Sequence, residues 1–267
     1  MQNNRGQVKN VIFLGRKPAA ALALKFLIEK GIRVKAIVTR MAVAGENEAL
    51  EKIAKKYLIP IFPDDQPLYE MIEKKSKEVA DIDMVISFSF WKKIKNPLIL
   101  LPRLGCVNFH PAPLPDYKSR AGYNTAILDQ RKDYGVSAHF IDSEQFDAGP
   151  IIRVDKFPID SETETAFSLE AKTQIKLLQL FKKVMNLFSS SRLIKTSLNI
   201  GGLYLTAKQL EAMKKVDLNK DTPEKIHRMI RAFFFPPYIG AYVEIGGEKF
   251  GLVDEYILKS VDRLIHK

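Results

Sequence analysis

Cysteine is almost missing from this chain: Cys106 is the single one in 267 residues. That excludes an internal disulfide, and the thiol reads as a small buried hydrophobe rather than a nucleophile. No apolar run reaches the roughly 18 residues that a membrane span requires, so no membrane partner is expected. Residues 1–9 are polar and lead straight into an apolar strand, without the basic, apolar and small-residue order of a secretory leader, and a cytoplasmic location is the expectation. Basic residues exceed acidic ones by 42 to 31, a net charge of +11, yet they never form a block of five or six. Pairs such as Lys55 with Lys56 and Lys182 with Lys183 describe a solvated surface better than a groove for a phosphate backbone. The same charge also suits an enzyme for phosphorylated or polyglutamylated small molecules. The four histidines, at 110, 139, 227 and 266, are too scattered for a ligand set, and no metal is expected. His139, inside an apolar strand, reads as a core or edge residue. A complete GxGxxG is absent as well; Gly15, Arg16 and Lys17 after the first strand make only a weak phosphate-facing turn.

What the chain does have is a βαβ opening. Residues 11–14 form an apolar strand, 18–30 a helix with Pro18 in its first turn and Gly31 just past its end, and 33–38 a second strand. Helices are expected near 46–57 and 67–78, and strands at 83–88, 105–109, 136–141 and 151–157. Strands alternating with helices of this length predict a Rossmann-like α/β domain, a largely parallel sheet covered by helices on both faces. A long helix near 163–188 repeats Leu177, Leu178, Phe181, Val184, Met185 and Phe188 at three- and four-residue spacing, so it packs one face on the core. Residues 189–191 break it. A helix near 222–232, opened by Thr222 and Pro223, and a hairpin around Gly246 and Gly247 follow, which predicts a catalytic domain over 1–197 and a small α+β unit over 198–267.

The chemistry concentrates in LGCVNFHPAPLP, residues 104–115, where Asn108 and His110 stand two apart at a strand end. Strand period is two, so both side chains leave the same face while Phe109 packs on the other. The C-terminal end of a parallel strand is where such sheets build active sites, and Pro111, Pro113 and Pro115 stiffen the loop that follows. Further on, Asp147 lies in a loop between two apolar strands, with Gly149 allowing close backbone approach. A carboxamide, an imidazole and a carboxylate on neighbouring strand ends suit acyl transfer.

These residues resemble the folate-dependent formyltransferases, the family of methionyl-tRNA, glycinamide ribonucleotide and sugar-nucleotide enzymes. The likeness covers residues 9–160 and includes VIFLG at the first strand, LPRLGCVNFHPAPLP, the run DAGPII and the segment VISFSFWKKI. It implies catalytic roles for Asn108, His110 and Asp147 and a folate wall of Ser87, Phe88, Ser89, Phe90 and Trp91, with Trp91 open between stacking and packing. The implied formyl donor is 10-formyltetrahydrofolate. Asn108 would donate to the developing oxyanion, His110 polarise the formyl oxygen or pass a proton, and Asp147 take the proton of the acceptor amine. Two departures stand out: Tyr117, Lys118 and Ser119 replace the family's Tyr-Arg-Gly turn, and the approach to Asp147 over residues 142–147 is one residue longer than in the tRNA enzymes.

Two tRNA-reading parts look reduced: residues 39–48 are short and mostly neutral, and 36 residues follow Arg231. The tail IRAFFFPPYIGAYVEIGGEKF resembles the small C-terminal unit of the sugar-nucleotide enzymes, which implies a nucleotide-linked amino sugar as acceptor and tRNA as the lesser candidate. Acceptor-binding candidates are Lys118, Arg120, Tyr123, Arg228, Arg231 and Tyr238. The cluster Phe233, Phe234, Phe235 and Tyr238 is open between stacking on a base and closing a domain interface. A formyltetrahydrofolate hydrolase, or a nucleotide-binding Rossmann-like protein without catalysis, are the alternatives from other classes. A homodimer stays open.

Overall fold

A computed structural model describes residues 7–40, 47–190 and 193–259. Residues 1–6, Glu46 at the expected start of the second helix, Ser191 of the expected break, and His266 lie outside the described residues. The first half runs β1 (Asn10–Gly15), α1 (Pro18–Glu29), β2 (Arg33–Val38), α2 (Glu48–Lys56), β3 (Ile61–Phe62), α3 (Gln66–Glu73), β4 (Met84–Phe88) and β5 (Cys106–His110). A 3₁₀ turn at Lys77–Val79 cuts short the helix expected over 67–78. Then come β6 (Tyr117–Ser119), α4 (Gly122–Leu128), β7 (Asp133–Ile141), β8 (Ile151–Pro158) and α5 (Ala166–Ser189). The chain continues through β9 (Leu203–Leu205), α6 (Ala207–Ala212), α7 (Pro223–Phe233), β10 (Tyr242–Ile245) and β11 (Glu248–Gly251).

Seven strands form one sheet in the order β3-β2-β1-β4-β5-β7-β8. From β3 to β5 every pairing is parallel, and β7 then runs antiparallel to β5. The fold is the Rossmann-like α/β arrangement, largely parallel, with that one reversal. Parallel strands covered on both faces need continuous apolar runs, and β4 is buried at every position. α1 packs closely because Ala19, Ala20, Ala21 and Ala23 are all buried beside Leu24 and Leu27. Its end is set by Gly31, whose φ of 73° suits the left-handed position after a helix.

Grouped by packing, the chain divides into two units, each of three segments. The first comprises Met1–Asp116, Gly135–Asp155 and Gln174–Gly202. It holds two apolar layers. One gathers Ile12, Leu14, Val38, Val85, Leu98 and Cys106. The other is aromatic: Phe181 of α5 meets Phe109 at 4.8 Å and Phe88 at 5.8 Å between ring centroids. Burial pushes the Cys106 thiol well above its ordinary range, which keeps it a neutral packing group.

The second unit comprises Tyr117–Tyr134, Lys156–Thr173 and Leu203–Lys267. Tyr134 is fully buried there, ringed by Tyr117, Tyr123 and Phe157 at 6.2, 5.6 and 6.0 Å. Asn124 of α4 donates to the Ala232 carbonyl of α7 at 2.6 Å. The hairpin of β10 and β11 turns through Gly246 and Gly247, both at positive φ. Five short elements go beyond the sequence expectations: β3, α4, the parallel pair β6 and β9, and α6, whose Thr206 and Gln209 form a capping box. Among the described residues no helix is long and apolar enough to cross a membrane.

The aromatic layer yields a stability prediction. Phe181 has no exposed surface, whereas Ile175 on the same helix is 61% exposed. Phe181→Ala is expected to cost about 3–5 kcal/mol and Ile175→Ala less than about 0.5 kcal/mol. Urea unfolding checks both, and similar midpoints for the two variants contradict the assignment of this core.

Candidate active site

The site grows from the β5 and β7 ladder. In the antiparallel register Asn108 faces His139 and His110 faces Ser137, so four side chains of period two share one face. The Ser137 hydroxyl accepts from the Leu114 N–H at 2.8 Å and donates to the Ala112 carbonyl at 2.7 Å. That pins the proline-rich loop directly after His110.

Asp147 completes the group. Its Oδ1 lies 3.0 Å from Asn108 Nδ2, 3.3 Å from His139 Nε2 and 3.4 Å from His110 Nδ1. All three expected residues are thus within reach of one another, and the longer approach over 142–147 still delivers the carboxylate to the strand ends. Asp147 sits at φ 48°, a left-handed conformation that Asp tolerates better than most residues. Gly149 is required by packing: a Cβ there would lie 2.0 Å from the Phe140 carbonyl oxygen. Asp147 is 8% exposed and His110 5%.

His139 is the residue that sequence alone does not identify. Its burial agrees with a core residue, at 1% exposure, but its partners are those of the site. Its Nδ1 stands 2.8 Å from the Phe140 carbonyl oxygen, which can only accept, so Nδ1 carries the hydrogen and the neutral ring presents Nε2 as an acceptor. Asn108 Nδ2 donates to that Nε2 at 3.0 Å. The signal that finds His139 is the register opposite Asn108, and it exists only once β7 is known to be the antiparallel neighbour of β5.

The expected folate wall divides by orientation. Ser87 donates its hydroxyl to Asn108 Oδ1 at 2.7 Å, which fixes the way the carboxamide points. Phe88 is completely buried in the aromatic layer, so its ring serves packing. Ser89 turns at φ 53°, its carbonyl accepts from Arg16 Nε at 2.9 Å, and its buried Oγ has no partner among the described residues. Phe90 and Trp91 form a tilted pair 4.5 Å apart, half-buried against the apolar layer of the first unit. Beside them Lys92, hydrogen-bonded to Asp64, holds that carboxyl down to about 2.

All eight residues expected for catalysis and the folate wall lie in the first unit, and all six acceptor candidates lie in the second. Lys118 is half-buried in β6, Arg120 exposed, and Tyr123 half-buried against Tyr134. Arg228 is half-buried on α7. Arg231 is buried, its Nη2 donating to the Ser161 carbonyl at 3.3 Å, so Arg228 is the more accessible of the two. Tyr238 is 70% exposed. Among the described residues no group of three or more His, Cys, Asp or Glu side chains is placed to hold a metal ion.

Comparison with known proteins bears on this arrangement. The profile of a family described as formyl transferase matches residues 9–185. The chain is 29% identical over 251 residues to a methionyl-tRNA formyltransferase of Azobacteroides pseudotrichonymphae genomovar. CFP2, covering 88% of this chain and 74% of that one. Its fold is similar to a 4-N formyltransferase from Francisella tularensis, at a TM-score of 0.75 and 20% identity over 94% of this chain and 98% of that one. It is also similar to WlaRD, a sugar 3N-formyl transferase solved with dTDP and 5-N-formyl-THF. There the TM-score is 0.69 and the identity 25%, over 91% of this chain and 85% of that one.

If His139 holds the Asn108 carboxamide in place, removing its acceptor should slow turnover. His139→Ala is expected to cost about 1–2 kcal/mol in the transition state, roughly a tenfold fall in kcat. His139→Gln, which keeps an acceptor near the position of Nε2, should recover part of it. Turnover of the alanine variant at the wild-type rate would sink the assignment.

Proposed function

The chain belongs to the formyl transferase family, and we propose that it carries a formyl group from 10-formyltetrahydrofolate to the primary amine of a nucleotide-linked amino sugar, with Asn108, His110 and Asp147 as its catalytic residues. Folate-dependent formyl transfer is the family's chemistry. The observation that carries it is the meeting of one carboxamide and two imidazoles at a single buried carboxylate oxygen, Asp147 Oδ1.

The residues fit the donor, because the buried Ser89 Oγ, without a partner among the described residues, offers a hydrogen bond at the strand end where the folate wall is expected. When bound, the folate supplies a formyl carbon on a nitrogen that can leave. The protein's part is charge and protons. Asn108 directs both amide hydrogens inward, one to Asp147 and one to His139. Turning one of them onto the formyl oxygen stabilises the charge that develops there, and losing such a donor typically costs about 10²–10³ in rate. His110 donates an N–H to the same oxygen or passes a proton, worth roughly 10²–10⁴. Asp147 accepts the proton that the amine releases as it attacks. Burial of all these groups but the half-buried Asn108 keeps bulk water from competing with the amine.

The near end-to-end likeness to WlaRD supports a sugar acceptor. Arg228 would hold a diphosphate and the exposed Tyr238 would stack on a base. The identity to a methionyl-tRNA formyltransferase favours the second reading, initiator tRNA as acceptor.

Two experiments follow. With the formyl donor in excess, the enzyme is offered methionyl-tRNA together with a set of nucleotide-linked amino sugars, and formylation of a sugar without tRNA is expected. Formylated tRNA with every sugar untouched overturns the acceptor, and tetrahydrofolate release without any amine marks a hydrolase. In the second, Asp147→Asn should abolish transfer yet bind folate as the wild type does, because the carboxylate acts on the amine's proton. Loss of folate binding in step with activity would make Asp147 a structural residue instead.

A further inference from the structure

The stretch beyond α5 crosses the loop that carries Asp147. Ser197 and Ile151 exchange two backbone hydrogen bonds, at 2.8 and 3.0 Å, in an antiparallel bridge. Two residues on, that register sets Asn199 opposite Gly149, where no further bridge forms. The Asn199 side chain takes over instead. Its Nδ2 donates to the Asp147 carbonyl at 2.8 Å and to the Gly149 carbonyl at 2.9 Å, so both hydrogens of one amide span the loop. The chain then turns through Gly201 and Gly202, at φ 79° and 84°. A Cβ on Gly202 would lie 1.6 Å from the Pro115 carbonyl oxygen, so the same stretch presses on the loop that follows His110.

We propose that residues 197–202 form a strap and that Asn199 is a positioning residue that holds Asp147 against Asn108 and His110. This rests on the reading of Asp147 as the catalytic carboxylate. A non-glycine residue at φ 48° persists only when its surroundings over-determine it. Gly149 provides one anchor, its backbone lying against the Phe140 carbonyl on β7. Asn199 provides the other, from the opposite side. The residue type matters, because the amide nitrogen carries two N–H bonds, one for each carbonyl oxygen. Aspartate, of almost the same shape, would set a carboxylate against them.

The test compares Asn199→Ala, the near-isosteric Asn199→Asp and Asp147→Asn in kcat, folate dissociation constant and thermal midpoint. The expected result is a kcat at least about tenfold lower in both Asn199 variants, as the loss of one or two buried hydrogen bonds implies, with folate binding and thermal midpoint close to the wild type. Wild-type turnover in both Asn199 variants beside an inactive Asp147→Asn overturns the strap and leaves the site standing. Wild-type turnover in Asp147→Asn removes the catalytic reading itself, and the strap with it. Should the alanine variant not fold, the aspartate variant carries the comparison. A loss of kcat, folate binding and melting temperature together would make Asn199 a structural residue and refute its positioning role.

Discussion

A carboxylate can be buried only where donors replace the water it has lost, and the rest of this site follows from meeting that requirement at Asp147. Its Oδ1 accepts from Asn108 Nδ2 at 3.0 Å, with His110 Nδ1 at 3.4 Å, and His139 of β7 takes the other hydrogen of the same carboxamide. The antiparallel reversal of β7 is therefore what assembles this group of side chains. It puts His139 opposite Asn108 and Ser137 opposite His110, so one strand orders the groups that the other presents. Each of the two imidazoles and the carboxamide then has a second restraint: Ser87 on Asn108, the Phe140 carbonyl on His139, and the loop fixed by Ser137 after His110.

The parts of this arrangement that sequence discloses are those set by short range. Asn108 and His110 share a face because strand period is two, and Gly149 marks close approach because no other residue lacks a Cβ. The βαβ opening, the long α5 and the hairpin at Gly246 and Gly247 all show through periodicity, caps and turn residues. His139 and Asn199 do not, because their roles depend on register between segments 31 and 52 residues distant from Asn108 and Asp147. Nothing in the residues around His139 separates a packed histidine from one that orders a carboxamide. The short elements stay hidden for another reason: β6 and β9 have three residues each and α6 has six, too few for a period to declare itself. In α6 the capping box is the one local signal.

Orientation accounts for the remaining differences. Neighbouring side chains on a strand leave opposite faces, so Ser87 and Phe88, both in β4, point to different sides of the sheet. Ser87 leaves the face that Asn108 shares, while Phe88 goes to the aromatic layer and Ser89 turns out of the strand. Arg231 illustrates the same limit on a helix. Arg228 and Arg231 are three residues apart and neighbours on α7, yet burial differs between them, and the guanidinium of Arg231 is occupied by Ser161.

The extent of the family match adds a final step. Residues 9–185 include Asp147, the three side chains that meet at it and the whole stretch from Ser87 to Trp91. Asn199 lies beyond it, as do Arg228, Arg231 and Tyr238. The shared stretch therefore carries the proposed catalytic groups together with Lys118, Arg120 and Tyr123 of the acceptor candidates, and the region outside it carries the other three candidates and the residue proposed to brace Asp147. Bracing and recognition are then joined along the chain. The strap leads through Gly201 and Gly202 directly into β9, which pairs with the β6 strand that holds Lys118. A change in the acceptor-facing residues of this region can be made without touching Asn108, His110, His139 or Asp147. The covalent path from Arg228, Arg231 and Tyr238 back to Asn199 runs through Gly201 and Gly202, both at positive φ, which a residue with a Cβ adopts only under strain.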